Sequence, residues 1–153
     1  MEKIIFKTAD EVLQYAIERE EEARDFYLEW AEKVMRPEIG DVLKEFAAEE
    51  AKHKELLENV RRGNDFAHAG SSVIDLKLGD YHRETDIHHE LNYQQALQLA
   101  IKREMVAQQL YLFLASISEN GKHRELFDGL YKEESKHKER LELMYDDDFM
   151  REN

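Results

Sequence analysis

A twelve-residue stretch occurs twice in this chain, as AIEREEEARDFY at residues 16–27 and as AIKREMVAQQLY at residues 100–111. A second stretch, EEAKHKE at 49–55, returns as EESKHKE at 133–139. Six of twelve positions are identical in the first pair and six of seven in the second, and both pairs are separated by 84 residues. The chain is therefore two copies of one helical hairpin, each with a glutamate followed thirty residues later by Glu-x-x-His. This pattern predicts a site for two metal ions.

The repeat and the apolar stripe of each helix distinguish candidate ligands from other glutamates. Of the acidic residues near position 20, only Glu20 has a glutamate, Glu104, at the matching position of the second copy. Apolar residues recur every three or four positions along each helix, and the candidate glutamates occupy core positions of this stripe. Glu49 and Glu133 fall on its flank. The predicted metal ligands are Glu20, Glu50, His53, Glu104, Glu134 and His137.

Composition limits the class of protein. A length of 153 residues suits one domain, 1–153, and one proline, six glycines and 37% charged residues suit an almost wholly helical fold. The formal net charge of −13 argues against nucleic acid and anionic membrane surfaces as partners. With no apolar run near membrane-spanning length and no signal-peptide pattern at Met1–Asp10, we expect a cytoplasmic protein. The absence of cysteine excludes disulfides, zinc ribbons and thiol catalysis within these residues.

Helix ends can be placed from capping and breaking residues. We expect helices over about 8–35, 38–62, 92–119 and 121–145, with capping boxes at Thr8/Glu11 and Asn92/Gln95. The long connection at 63–91 predicts a crossover between the second and third helices rather than a simple up-and-down bundle. A short helix or strand around Val73–Leu78 is expected within it.

Four carboxylates and two imidazoles at one level of a helical core need a counter-charge, because burying them alone is costly. Two divalent cations would balance the four glutamates. Oxygen ligands with one imidazole per metal favour two iron ions per chain, with manganese next and zinc as an adventitious occupant. Tyr27 and Tyr111 lie seven residues after the lone glutamates. They are either hydrogen-bond donors to the ligating carboxylates or ordinary packing residues.

With six candidate ligands at matched spacing inside a duplication, the chain resembles the ferritin-like di-iron carboxylate superfamily, and within it the di-iron domain of the rubrerythrin family, over residues 8–145. The resemblance implies an all-α, ferritin-like four-helix bundle with a long crossover. Two features depart from the family pattern. The family's rubredoxin-like domain, which supplies electrons, has four cysteines, whereas these 153 residues contain none, and Ala107 stands where the family has a further glutamate linked to iron movement.

The sequence leaves three functions open. The resemblance favours a di-iron enzyme that reduces hydrogen peroxide or dioxygen with electrons from a separate donor protein. The alternatives are a ferroxidase that sequesters iron and a non-enzymatic, metal-stabilised interaction module.

The third helix is apolar on nearly all sides, which predicts that something covers it. Either the crossover stretch at 73–78 lies across it or a second subunit packs there, and we expect a homodimer. The apolar residues concerned are Leu97, Leu99, Ile101, Met105, Val106, Leu110, Leu112 and Phe113.

Overall fold

A computed structural model describes residues 4–63, 74–79 and 90–150 of the chain. These residues form four long helices, which pair as the hairpins α1–α2 and α3–α4, and α1 also packs along α3. The predicted bundle of two duplicated hairpins is confirmed. The helices span Ala9–Lys33 (α1), Pro37–Gly63 (α2), Tyr93–Ile117 (α3) and Gly121–Tyr145 (α4), and a π-helical turn follows at Asp146–Met150.

The helix starts follow the predicted capping residues. Asn92 caps α3 with a complete capping box, because Gln95 N donates to Asn92 Oδ1 at 2.8 Å and Asn92 N donates to Gln95 Oε1 at 3.0 Å. Thr8 caps α1 by accepting from Glu11 N at 3.1 Å. The Glu11 side chain differs from the expected box, since it accepts from the backbone N–H of Lys7 instead of that of Thr8.

The described part of the crossover contains the strand that the sequence left as an alternative to a helix. Strand β1 (Ile5–Phe6) pairs antiparallel with strand β2 (Ile74–Asp75), with Ile5 opposite Asp75 and Phe6 opposite Ile74. This pairing attaches the crossover to the chain segment before α1. The remainder of the predicted crossover, at 64–73 and 80–89, lies outside the described residues.

The apolar residues of α3 are largely covered within a single chain. Leu99, Val106 and Leu110 are buried, and among the eight apolar residues named for this helix only Leu112 is exposed, by 44%. Leu78, from the crossover, is fully buried in the same apolar cluster as Val106 and Leu110. The crossover therefore contributes to this core, and the homodimer stays a prediction. No helix among the described residues is long and apolar enough to cross a membrane.

Two glycines on helices give a test of the packing between α1 and α2. A Cβ atom added at Gly40 would lie 3.0 Å from the carbonyl oxygen of Ala31, whereas one added at Gly129 would meet nothing within 4 Å. Gly129→Ala should raise the free energy of unfolding by about 0.5–1 kcal/mol, because alanine loses less backbone entropy in a helix. Gly40→Ala should lower it. Urea denaturation of the metal-free variants measures both, and equal stabilisation by the two changes would contradict the close approach at Gly40.

Candidate metal centre

Each of the four helices contributes acidic side chains to one level of the core. Glu20 comes from α1 and Glu104 from α3, while α2 and α4 each contribute a glutamate and, one turn later, a histidine. Six residues, each at most 2% exposed, meet at this level: Glu20, Glu50, His53, Glu104, Glu134 and His137. All six predicted ligands are thus brought together inside the bundle.

The six side chains form two overlapping groups, each able to present ligand atoms within 4.8 Å of one another. One group contains Glu20 and His53, and the other contains Glu104 and His137. Glu50 and Glu134 belong to both groups. A carboxylate that belongs to both groups can serve an ion in either, so this arrangement would suit two adjacent cations that share two carboxylates.

Both imidazoles present Nδ1 to the centre. His53 Nδ1 lies 2.8 Å from Glu134 Oε1, 3.3 Å from Glu50 Oε1 and 3.6 Å from Glu20 Oε2. His137 Nδ1 lies 3.3 Å from Glu50 Oε1 and 3.6 Å from Glu104 Oε1. The two histidines therefore have matching positions on opposite sides of the shared carboxylates.

The outer nitrogen of each imidazole is held by a glutamate that the sequence placed on the flank. His53 Nε2 contacts Glu133 Oε2, and His137 Nε2 contacts Glu49 Oε2. A carboxylate at this position fixes the ring orientation and makes the opposite nitrogen a stronger donor to a metal. The apolar stripe did not predict that these glutamates contact the histidines. The available signal was that both flank glutamates are identical in the two copies.

Tyr27 and Tyr111 are hydrogen-bond donors, which settles the choice that the sequence left open. Tyr27 Oη donates to Glu104 Oε1 at 2.6 Å, and Tyr111 Oη donates to Glu20 Oε1. Burial, together with the charge of the carboxylate that each phenol contacts, raises the pKa of both phenols well above the usual 10.0. Both side chains therefore keep their protons and hold one oxygen of each lone glutamate.

Two of the buried glutamates favour their protonated forms when no metal is bound. Burial, assisted by the charge of Glu50, raises the pKa of Glu20 to about 8. Burial and the charges of Glu104, Glu20 and Glu50 raise the pKa of Glu134 well above its ordinary value. Burial also acts to raise the pKa of Glu50, but the close approach of the two histidine rings outweighs it and lowers that pKa to about 2.

The two imidazoles are protonated because nearby carboxylates outweigh the effect of burial. Burial acts to lower the pKa of His53, but the nearby carboxylates of Glu20 and Glu50 raise it to about 10. Burial likewise acts to lower the pKa of His137, but the nearby carboxylates of Glu104 and Glu50 raise it to about 11. Without metal, the centre therefore balances its remaining carboxylate charge with two imidazolium ions.

The centre also contains buried polar atoms without hydrogen-bond partners, which is costly in a protein interior unless an ion satisfies them. One oxygen of each glutamate and Nδ1 of His137 are in this state: Glu20 Oε2, Glu50 Oε1, Glu104 Oε2, Glu134 Oε2 and His137 Nδ1. Carboxylate oxygens and imidazole nitrogens are ligands that Fe²⁺ and Mn²⁺ accept. The donor set therefore fits two such ions.

Comparison with known proteins agrees with this geometry. The sequence model of the Rubrerythrin family matches residues 11–93 and 95–153. No curated protein sequence matches the chain.

Two solved structures share the fold. A protein from Thermotoga maritima, described as ferritin-like and diiron-carboxylate, has a TM-score of 0.71 at 23% identity, covering 95% of this chain and 97% of its own. A hypothetical protein from Pyrococcus furiosus has the same TM-score and identity, with coverage of 91% and 89%. At this identity, the likeness concerns the fold.

Substitution of the inner and outer glutamates should separate their roles. Glu50→Ala and Glu134→Ala should lose bound metal, because each removes the oxygen donors shared by both groups. Glu49→Ala and Glu133→Ala should retain two ions per chain but with affinity about 10–100-fold lower, as for other carboxylates behind a ligating histidine. Elemental analysis and metal titration measure both quantities. If the outer variants lose metal while the inner variants keep it, the ligand assignment is wrong by one residue.

The metal-free protein should become less stable as pH rises from about 5 to about 10. Glu20 and the histidines have pKa values raised above 4.5 and 6.5, so the folded state binds more protons than the unfolded state in this range. Their stabilising contribution is complete below the unfolded pKa values and is lost as pH rises through the folded ones. Melting temperatures with a chelator present, measured across this range, provide the test. A flat profile, or metal-free protein as stable as loaded protein, would contradict it.

Proposed function

The chain belongs to the rubrerythrin family, and from that premise we propose that it is a di-iron oxidoreductase that reduces hydrogen peroxide or dioxygen with electrons from a separate donor. The observation that carries the proposal is the sharing of Glu50 and Glu134 between the two groups of candidate ligands. Shared carboxylates would hold two metal ions in one centre, which suits a reaction that moves two electrons to one small molecule.

Two iron ions in this centre would supply the two electrons that reduction of one hydrogen peroxide to water consumes. The protein contributes orientation and exclusion of water. Tyr27 and Tyr111 stay protonated and donate hydrogen bonds to glutamate oxygens. These bonds fix the carboxylates of Glu104 and Glu20. Because the surrounding side chains are buried, the reacting molecule is separated from bulk solvent.

Electrons for repeated turnover come from outside these residues. The 153 residues contain no cysteine, and so hold no cysteine-ligated electron-transfer centre. A separate donor protein is part of the proposal for this reason. The homodimer and the cytoplasmic location also stay predictions, to be checked by sedimentation and by cell fractionation.

Di-ferrous protein should be oxidised faster by hydrogen peroxide than by air, and oxidation should stop after one cycle unless a reductant is added. Stopped-flow mixing of anaerobically loaded protein with each oxidant gives the ratio of rates. The Glu50→Ala variant is the control, because it lacks a shared carboxylate while keeping the rest of the chain.

Two outcomes would replace this function. Faster oxidation by air, together with uptake of many iron ions per chain into a dissolved store, would identify a ferroxidase. Binding of two metal ions without reaction with either oxidant would identify a metal-stabilised interaction module.

A further inference from the structure

A surface pocket of about 430 Å³ opens between α2 and α4 and is called here the α2–α4 pocket. Phe46 and Leu143 form apolar parts of its wall, and His137 lies in its lining. The two helices approach each other less closely than α1 and α3 do, which leaves room for the pocket. The pocket therefore adjoins the candidate metal centre.

His137 separates the pocket from the centre. The side chain is only 3% exposed, and its Nε2 contacts Glu49, which also lines the pocket. Its Nδ1 faces the inner carboxylates and has no hydrogen-bond partner, although Glu50 Oε1 lies 3.3 Å away. Phe46 stacks on the imidazole at a centroid distance of 4.1 Å and an angle of 24°. The path from pocket to centre therefore crosses one imidazole ring.

The charges around the pocket favour a cation. Two basic side chains, Lys136 and Arg140, lie among its lining residues. Four carboxylates line it as well: Glu45, Glu49, Glu133 and Glu139. The four carboxylates outnumber the three positive groups, Lys136, Arg140 and protonated His137, by one. Such a cleft concentrates cations near its walls, whereas a neutral oxidant gains nothing from it.

The corresponding half of the groove, related by the duplication, has a different lining. Leu56 stands at the position equivalent to Arg140, Leu126 at that of Val42 and Leu130 at that of Phe46. All three leucines belong to, or pack against, the apolar core cluster. Of these three positions, only that of Arg140 exchanges a charged side chain for an apolar one. Glu133, which is 51% exposed, contacts His53 as Glu49 contacts His137.

We propose that divalent metal ions reach the centre through the α2–α4 pocket, and that Glu49 binds an incoming ion and passes it to the His137 side. Glu49 is 40% exposed and its Oε2 touches His137 Nε2, so it contacts both solvent and the ring that borders the centre. Rotation of this carboxylate away from the imidazole frees Nε2 and opens the way inward. The proposal rests on the di-iron centre proposed above and concerns how that centre is filled.

The lack of native cysteine allows the pocket to be blocked at one chosen position. Leu143→Cys places a thiol on its rim, where Leu143 is 53% exposed. Asn59→Cys is the matched control, because Asn59 is exposed and occupies the equivalent position of the other copy. Each variant is labelled with a bulky, uncharged thiosulfonate, which a phosphine reductant later removes. Uptake of Co²⁺ by metal-free protein is then followed by absorption in a stopped-flow instrument.

Labelled Leu143→Cys should take up Co²⁺ more slowly by about tenfold or more, the lower end of the effect of charged clefts on association rates. Removal of the label should restore the rate, and labelled Asn59→Cys should match the unlabelled protein. Two Co²⁺ per chain should be bound at equilibrium in every case, which shows that the centre itself is intact. Equal rates in the two labelled variants, whether slow or fast, would overturn the proposal.

A second pair of variants tests the charge without any label. Glu139→Gln removes a pocket carboxylate, and Glu55→Gln removes its counterpart in the other copy. Only Glu139→Gln should slow Co²⁺ uptake, and its effect should shrink as salt is added. Equal slowing by both variants would mean that overall charge, not the pocket, guides the ions. Failure of the unaltered protein to bind Co²⁺ would reject the metal centre itself, a result separate from either.

Discussion

Burial of six ionisable side chains at one level of a helical bundle is the constraint on which the rest of this structure depends. Four carboxylates and two imidazoles, each at most 2% exposed, would cost many kcal/mol if left uncompensated. In the metal-free protein, bound protons lower this cost of burial, because the pKa values of Glu20, Glu134 and both histidines are raised. Two divalent cations would balance four carboxylates and two neutral imidazoles equally well, so the same core suits both states.

The two copies of the hairpin are joined through the centre that they build. Four hydrogen-bonded pairs around it each connect a residue of the first copy with one of the second: Tyr27 with Glu104, Tyr111 with Glu20, His53 with Glu133 and His137 with Glu49. Neither copy could satisfy these groups alone. The duplication therefore produces an interface between the hairpins in which the same side chains form the polar contacts and the metal-binding centre. Separating the hairpins would expose these side chains to solvent.

The sequence predicted the bundle and the six central residues because two independent patterns agreed, the internal repeat and the 3.6-residue apolar stripe. It did not predict the contacts of Glu49 and Glu133. Adjacent residues on a helix point about 100° apart, so a flank residue faces solvent or a neighbouring helix according to the spacing of the bundle. That spacing is a tertiary property. The partners of the tyrosines were hidden for the same reason, because each donates across the interface between copies. The pairing of Ile5–Phe6 with Ile74–Asp75 is too short to produce a strand pattern in the sequence.

The two halves of the centre have the same candidate ligands but different surrounding residues. The inner atoms match, because each half needs the same carboxylates and imidazole to hold an ion of the same charge. The outer residues carry no such requirement, so Phe46 and Arg140 in one half correspond to Leu130 and Leu56 in the other. His137 stacks on Phe46 beside a charged pocket, while Leu130 and Leu56 pack with the apolar core. Chemical equivalence of the two ion positions therefore does not imply equal access to them, because Phe46 and Arg140 line the α2–α4 pocket on the His137 side.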